Sequence, residues 1–188
     1  MEEKLIERGK QLHTAIVYAT MAHKGQVRKG TAIDYISHPM EVLQILAAMN
    51  APVEVQIAGI LHDVLEDTTA TETELRQLFG DTVTNLVTHH SEDKSRSWRE
   101  RKETNLAQTH RGTKELKMIV LADRLSNVRS MAADYEEIGE KLWERFRVGK
   151  EHQGWYLKET LHALAQRKEN ANCMGSYVEL ETLYHPLF

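Results

Sequence analysis

Ile57-Ala58-Gly59-Ile60-Leu61-His62-Asp63-Val64-Leu65-Glu66-Asp67 is the stretch on which the fold turns. On a helical wheel Ile57, Ala58, Ile60, Leu61, Val64 and Leu65 fill one sector, and His62, Asp63, Glu66 and Asp67 fill the other. The apolar sector predicts a helix packed on a core. The polar sector holds three carboxylates within a turn and a half and no Lys or Arg. A solvated face of an amphipathic helix is one reading of it. Mutual repulsion favours another, because clustered carboxylates have raised pKa values unless a cation compensates, and a bound metal supplies that cation.

The same three- and four-residue recurrence of apolar residues runs through nearly the whole chain, and alternating strand-like runs are hard to find. An all-α fold follows. Leu12, Ile16 and Ala19 lead a first helix to His23, after which a polar, basic loop runs from Lys24 to Ser37 through Gly25 and Gly30. Pro39 suits the first position of a second helix carrying Val42, Ile45, Leu46 and Met49, and Pro52 opens a third. Thr68-Thr69 stops the third helix after Asp67, and Thr71-Glu72-Thr73-Glu74 caps a short fourth one ending near Gly80. Further helices are expected over Thr82 to His90, Trp98 to Thr109, Leu116 to Ala133, Gly139 to Val148 and His152 to Lys168. A last short one is expected around Val178 to Leu183. No repeat, low-complexity tract or linker interrupts the pattern, so residues 1–188 read as a single domain.

Composition agrees. With 188 residues, 41% hydrophobic and 28% charged, the chain can bury one continuous core but hardly two. A net charge of −4 opposes nucleic-acid binding. The single cysteine, Cys173, cannot form an intrachain disulfide, and Met1-Glu2-Glu3-Lys4 is no basic start to an apolar leader, so a reducing cytoplasm is the expected location. No apolar run approaches the roughly twenty residues that span a bilayer, and no membrane association is expected. The oligomeric state, a homo-oligomer included, is left open.

Two residues outside the opening stretch complete a ligand set. His38 precedes Pro39 at a helix start, and Asp123 closes the apolar run Met118-Ile119-Val120-Leu121-Ala122, where a carboxylate needs a partner. Singly, His38 could be a helix cap and Asp123 could pair with an arginine. Together His38, His62, Asp63 and Asp123 offer imidazole nitrogen and carboxylate oxygen, a mixture suited to Mn²⁺, Fe²⁺, Zn²⁺ or Co²⁺. Such a cation acidifies water for attack on phosphorus and polarises a phosphoryl oxygen. Glu66 and Asp67 follow His62 and Asp63 by four residues, project toward the same point from the next turn, and are placed to handle protons. Asn127, one turn beyond Asp123, faces the same cavity. A polyphosphate substrate also needs positive charge opposite the acidic centre, and Arg28 and Lys29 on the basic loop are the candidates. The stretch from Lys94 to Lys102, with Arg96, Arg99 and Arg101 around Trp98, either holds phosphates and a base or is an exposed helix start. His89, His90, His110, His152 and His162 read as packing or surface residues.

The order His38, His62-Asp63, Asp123 is the signature of the HD superfamily, and the residues around it resemble one branch. Ala22-His23-Lys24-Gly25-Gln26-Val27-Arg28-Lys29-Gly30 with Tyr35-Ile36-Ser37-His38-Pro39 is similar to the first block of the Rel/Spo-type alarmone hydrolase domain. Leu61-His62-Asp63-Val64-Leu65-Glu66-Asp67-Thr68 resembles its second block, in which the Glu-Asp pair is catalytic. Leu121-Ala122-Asp123-Arg124-Leu125-Ser126-Asn127 resembles its third, and Ser91-Glu92-Asp93-Lys94-Ser95 with Arg101-Lys102 resembles the segment between them. Trp98-Arg99-Glu100-Arg101-Lys102, Trp143-Glu144-Arg145-Phe146 and Trp155-Tyr156 look like a branch of short bacterial homologues. The chain departs from the family at Asp34, where a proline is usual, and at Thr88-His89-His90.

The resemblance implies a single-domain helical bundle with a metal site at its centre. It implies His38, His62, Asp63 and Asp123 as ligands, with Mn²⁺ the first cation to expect, and Glu66 and Asp67 as catalytic residues. Arg28, Lys29, Asn127 and Lys102 would bind a small nucleotide substrate. The implied reaction is hydrolysis of the 3′-pyrophosphate of ppGpp or pppGpp to GDP or GTP and pyrophosphate. No nucleotidyltransferase domain follows in this sequence, which implies a hydrolase-only role. Two alternatives stand beside it: an HD phosphohydrolase acting on ppApp, the 2′-phosphate of NADPH or a nucleoside mono- or triphosphate, and a non-catalytic module that senses a nucleotide.

Overall fold

The helical periodicity is realised in a computed structural model that describes residues 2–165 and 170–188. Among these residues nine α-helices follow one another: α1 Glu2–Ala22, α2 Ser37–Ala48, α3 Val53–Ile60, α4 Val64–Asp67, α5 Glu72–His90, α6 Trp98–Arg111, α7 Lys114–Ile138, α8 Gly149–Leu164 and α9 Ala171–Leu187. The 3-10 segment Gly139–Arg145 joins α7 to α8. An isolated antiparallel bridge, Val27 to Asp34, pins the basic loop into a hairpin-like turn.

Helix α7 is the spine. Its residues Leu116 to Asp123 are buried without interruption, which a surface helix with a single apolar face would not allow. It packs against α2, α3, α5, α9 and the 3-10 segment. Local signals start the outer helices: Thr71 accepts from the Glu74 N–H at the head of α5, and Ser97 and Glu100 form a reciprocal capping box at the head of α6.

Three of the differences from the periodic reading have a clear physical reason. The helix expected to run through Asp67 breaks at Leu61-His62-Asp63. His62 Nδ1 donates to the Gly59 carbonyl at 2.7 Å, taking the acceptor that the Asp63 N–H would need to continue the helix. The segment expected as a helix from Gly139 to Val148 is a 3-10 turn set between glycines at positive φ, Gly139 (58°) and Gly149 (69°). Helix α9 is longer than the short helix expected at 178–183, because Cys173, Tyr177, Leu180 and Leu187 are buried along it and tertiary packing extends it. The break near Gly80 is where the sequence put it, with Gly80 at φ 81° inside α5. Of the helix expected to reach Lys168, residues 166–169 lie outside the described residues.

Gly59 combines two duties, since it accepts from His62 and lets α2 approach closely. A Cβ added there would fall 2.1 Å from Leu46 Cδ1, and Leu46 is fully buried. Gly→Ala inside a helix ordinarily gains about 1 kcal/mol. Here overpacking reverses the sign, and Gly59→Ala is expected to destabilise the fold by about 1–3 kcal/mol. Urea unfolding followed by circular dichroism measures this, and an unchanged or raised midpoint would contradict the close-approach role.

Candidate metal centre and adjoining cleft

Three separate parts of the fold bring the predicted ligands together. His38 comes from the first turn of α2, His62 and Asp63 from the break between α3 and α4, and Asp123 from the buried middle of α7. His38 Nε2 lies 3.3 Å from Asp123 Oδ1 and 3.7 Å from Asp63 Oδ2. His62 Nε2 lies 2.9 Å from Asp63 Oδ2 and 3.9 Å from Asp123 Oδ1. Donor atoms of His38, His62 and Asp123 all lie within 4.8 Å of one another.

The far nitrogen of each histidine shows which way its ring is used. Ser126 Oγ–H donates to Glu41 Oε2 at 2.7 Å, so at 2.8 Å it must accept from His38 Nδ1–H. His62 Nδ1–H donates to a carbonyl. A neutral ring held in that way turns the Nε2 lone pair to the cluster, the arrangement that metal-bound histidines adopt. His62 Nε2 is buried and has no hydrogen-bond partner although a carboxylate oxygen stands 2.9 Å away. A divalent cation between these donors would satisfy that orphaned nitrogen, and the residues fit one.

The electrostatics agree with a site built around charge. Burial opposes ionisation of Asp123, yet the Arg124 guanidinium, His38, His90 and His62 hold its carboxyl well below the usual carboxylate range. Arg124 sits 3.2 Å from Asp123 Oδ2 and donates to the Tyr156 hydroxyl at 2.8 Å. Burial likewise opposes a charged His62, but Asp63 and then Asp123 outweigh it and push His62 up to about 9. His38 is lowered, by burial first. Tyr35 donates to Asp63 Oδ2 at 2.5 Å, and burial followed by the Asp63 charge drives its phenol far up.

Glu66 and Asp67 face the same cavity of about 180 Å³, lined also by Tyr35, His90, Lys102 and Asn127. Glu66 Oε2 accepts from the Glu92 N–H at 3.1 Å, and burial raises its pKa against that bond. Asp67 pairs with Lys94 at 2.5 Å. The acidic face thus receives part of its compensation from Lys94 and Arg124, side chains that no helical wheel of that segment could include.

A second cavity of about 360 Å³ shares Tyr35, Lys102, Arg124 and Asn127 with the first. Its walls bring in Arg28, Lys29, Trp98, Arg101 and Arg145. Arg28 donates to Asn127 Oδ1 at 3.1 Å, and Asn127 donates in turn to Asp123 Oδ1 at 2.6 Å, which ties the basic loop to a candidate ligand. Lys29 is exposed, with its ammonium 5.2 Å from the Phe146 ring centre. The stretch Lys94 to Lys102 divides: Arg101 and Lys102 turn inward onto the partly buried Glu92, while Arg96 and Arg99 face solvent. A wider, mostly apolar groove of about 840 Å³ between α5 and the ends of α6 and α7 contains none of these residues.

His90, which reads from the sequence as a packing or surface residue, is buried beside the candidate ligands, its ring 5.2 Å from His62 and its Nε2 3.3 Å from Asp123 Oδ2. The signal is present in the spacing, since Val83, Val87 and His90 fall on one face of α5 and all are buried. His89, by contrast, is exposed. Glu92 and Arg124, to which the sequence assigns no role of their own, prove to hold Glu66, Lys102 and Asp123.

A model of the HD domain matches residues 15–147, which covers every one of these side chains except Tyr156. The chain belongs to the HD domain family. Among HD proteins, it is 36% identical over 130 residues to the bifunctional (p)ppGpp synthase/hydrolase SpoT of Escherichia coli K12, covering 66% of this chain and 18% of that protein. It is 35% identical over 117 residues to the guanosine-3′,5′-bis(diphosphate) 3′-pyrophosphohydrolase MESH1 of Drosophila melanogaster, covering 61% of this chain and 65% of that one. This chain thus spans under a fifth of the length of the bacterial protein. Among solved structures, a metazoan ortholog of SpoT described as hydrolysing ppGpp superposes with a TM-score of 0.77 at 26% identity, over 94% of both chains. A Listeria monocytogenes protein superposes with a TM-score of 0.72 at 33% identity, over 84% of this chain and 99% of the other.

Ser126 has no other evident duty than to fix the His38 ring against Glu41. Ser126→Ala is expected to leave the helical spectrum unchanged and to weaken divalent-metal affinity about 10- to 100-fold. Competition against a chelator of known affinity measures it, and parent-like binding would remove the relay from the site.

Proposed function

We propose that this HD domain hydrolyses the 3′-pyrophosphate of ppGpp or pppGpp, giving GDP or GTP and pyrophosphate, with Mn²⁺ as its working cation. The observation that carries the reading is the shared wall: an acidic, histidine-lined cavity opens into a cationic cleft through Tyr35, Lys102, Arg124 and Asn127. A substrate reaching from one to the other needs a phosphate at one end and further phosphates and an aromatic base at the other. Relatives that match at the level of family carry this activity in their names.

His38, His62, Asp63 and Asp123 would hold the cation, whose chemistry is to acidify water and polarise a phosphoryl oxygen. Glu66 takes the proton from the water that attacks the 3′-phosphorus. Its raised pKa, caused by burial, suits proton exchange near neutral pH better than an ordinary glutamate would. The bond from phosphorus to the 3′ oxygen breaks, and that oxygen leaves with the proton that Glu66 took from the water. Asp67, anchored by Lys94, keeps the approach of water aligned. Arg28, Lys29 and Lys102 hold the phosphates, and Asn127 couples the Arg28 loop to Asp123. Residues 1–188 act as one unit. A cytoplasmic setting goes with this reading, because a chain with a single cysteine is not built on intrachain disulfides.

The deciding experiment is incubation of the Mn²⁺-loaded protein with ppGpp, pppGpp, ppApp, NADPH and simple nucleotides, with products separated by chromatography. Pyrophosphate and GDP from ppGpp are expected, whereas free phosphate from NADPH or a mononucleotide alone would refute the substrate. Glu66→Gln keeps the shape and removes the base, so it is expected to bind metal and substrate like the parent while turnover falls about 10²- to 10⁴-fold.

The double change Arg28→Ala with Lys29→Ala addresses the phosphate clamp. It is expected to lower kcat/KM for ppGpp and to leave p-nitrophenyl phosphate, which has one phosphate to offer, nearly unaffected. The loss should shrink as salt screens the exposed Lys29. Unchanged efficiency on ppGpp at low and moderate salt would move the clamp to Arg101 and Lys102.

A further inference from the structure

Among the described residues, His90 is the histidine at the centre that the family signature leaves out, and it lies in the segment Thr88-His89-His90 where this chain departs from the Rel/Spo pattern. It is the last residue of α5 and only 5% exposed. Its position is fixed from both sides: Val87 is buried one turn before it, and two residues later the Glu92 N–H holds Glu66.

The geometry around His90 is that of a donor. Its Nε2 stands 3.3 Å from Asp123 Oδ2, and its ring meets the His62 ring at 5.2 Å and 77°. Donor atoms of His62, Asp63 and His90 lie within 4.8 Å of one another, a second triad that shares His62 with the first. For metal–ligand bonds of about 2.1 Å, neighbouring donors on one ion stand about 3 Å apart and opposite ones about 4.3 Å. The five pairs of donors that approach one another most closely, at 2.9 to 3.9 Å, fall in that range. Asp123 is the hinge between the triads, with Oδ1 turned to His38 and Asn127 and Oδ2 turned to His90 and Arg124.

We propose that His90 is a fifth protein ligand to the same single cation, completing a set of three imidazoles and two carboxylates. This rests on the metal-centre reading above and extends it. A third nitrogen replaces one water on the ion and tightens its hold. It also tilts selectivity along the divalent series, away from Mn²⁺ and toward Co²⁺ and Ni²⁺, relative to a two-histidine site.

Cobalt substitution tests this directly. In the Co²⁺-loaded parent, proton NMR in water is expected to show three strongly shifted imidazole N–H signals, one each from His38, His62 and His90. With His90→Ala two should remain, and metal affinity measured by chelator competition should fall at least about 10-fold, while His89→Ala, one residue away and exposed, should match the parent. His62→Ala is the control for the centre itself: if it too retains the metal at parent affinity, the underlying site is wrong. If His62→Ala loses the metal but the parent shows only two shifted signals, His90 is no ligand and the proposal alone fails. Binding of two cations per chain would equally overturn it. The number of shifted signals in the parent decides between two and three imidazole ligands even if His90→Ala does not fold, and circular dichroism shows whether it does.

Discussion

A carboxylate at the end of a helical run that is buried on every side is the constraint around which this molecule is arranged. Asp123 sits at the end of an uninterrupted run of buried residues in α7. An ionised group there is tolerated only if fixed partners replace the water it has lost. Arg124 from the same helix, Asn127 one turn on, His38 from α2, His62 from the α3–α4 break and His90 from α5 all meet it. The helices that surround α7 are thus tied together at one point by polar contacts, while Leu116, Ile119, Leu121 and Leu125 supply the apolar packing around it.

That arrangement makes the basic loop part of the site. Residues between α1 and α2 form no regular element beyond the Val27 to Asp34 bridge, yet they are anchored at both ends of the acidic cavity. Tyr35 donates to Asp63, Gln26 Nε2 donates to the Asp67 carbonyl, and His23 holds Gln26 in place at 2.8 Å. Arg28 is drawn to Asn127. Fixing the loop by its own polar side chains positions Arg28 and Lys29 over the cleft without burying their charges, which keeps those charges available to an anionic ligand.

Charge is separated on a short length scale. Asp63, Glu66 and Asp67 line one cavity, and Arg28, Lys29, Arg101 and Arg145 line the other, with Lys102 and Arg124 on the wall they share. Lys102 is itself tuned: burial and the neighbouring Arg124 lower its pKa, and Glu92 opposes them. Glu92 therefore acts on both sides, with its backbone holding Glu66 and its carboxylate holding Arg101 and Lys102. A low net charge for the whole chain, −4, conceals this local polarity.

The helices themselves, the signature His38, His62-Asp63 and Asp123, and the carboxylate pair Glu66 and Asp67 could be read from the sequence, because periodicity and residue type are local properties. Ser97 and Glu100 at a helix start, or Gly80 at a kink, announce themselves within a few residues. What only the tertiary structure decided depends on groups far apart in the chain. The helix break after Ile60 could not be foreseen from a wheel, since a side chain, not a proline or glycine, takes the carbonyl that would have continued it. Lys94 and Arg124 as counter-charges, Ser126 and Glu41 behind His38, and Glu92 between Glu66 and Lys102 are contacts that depend on how separate helices pack. His90 marks the boundary between the two: its place on the buried face of α5 was written in the spacing from Val83 and Val87, but what that face is buried against was settled only when α5 packed onto α3 and α7.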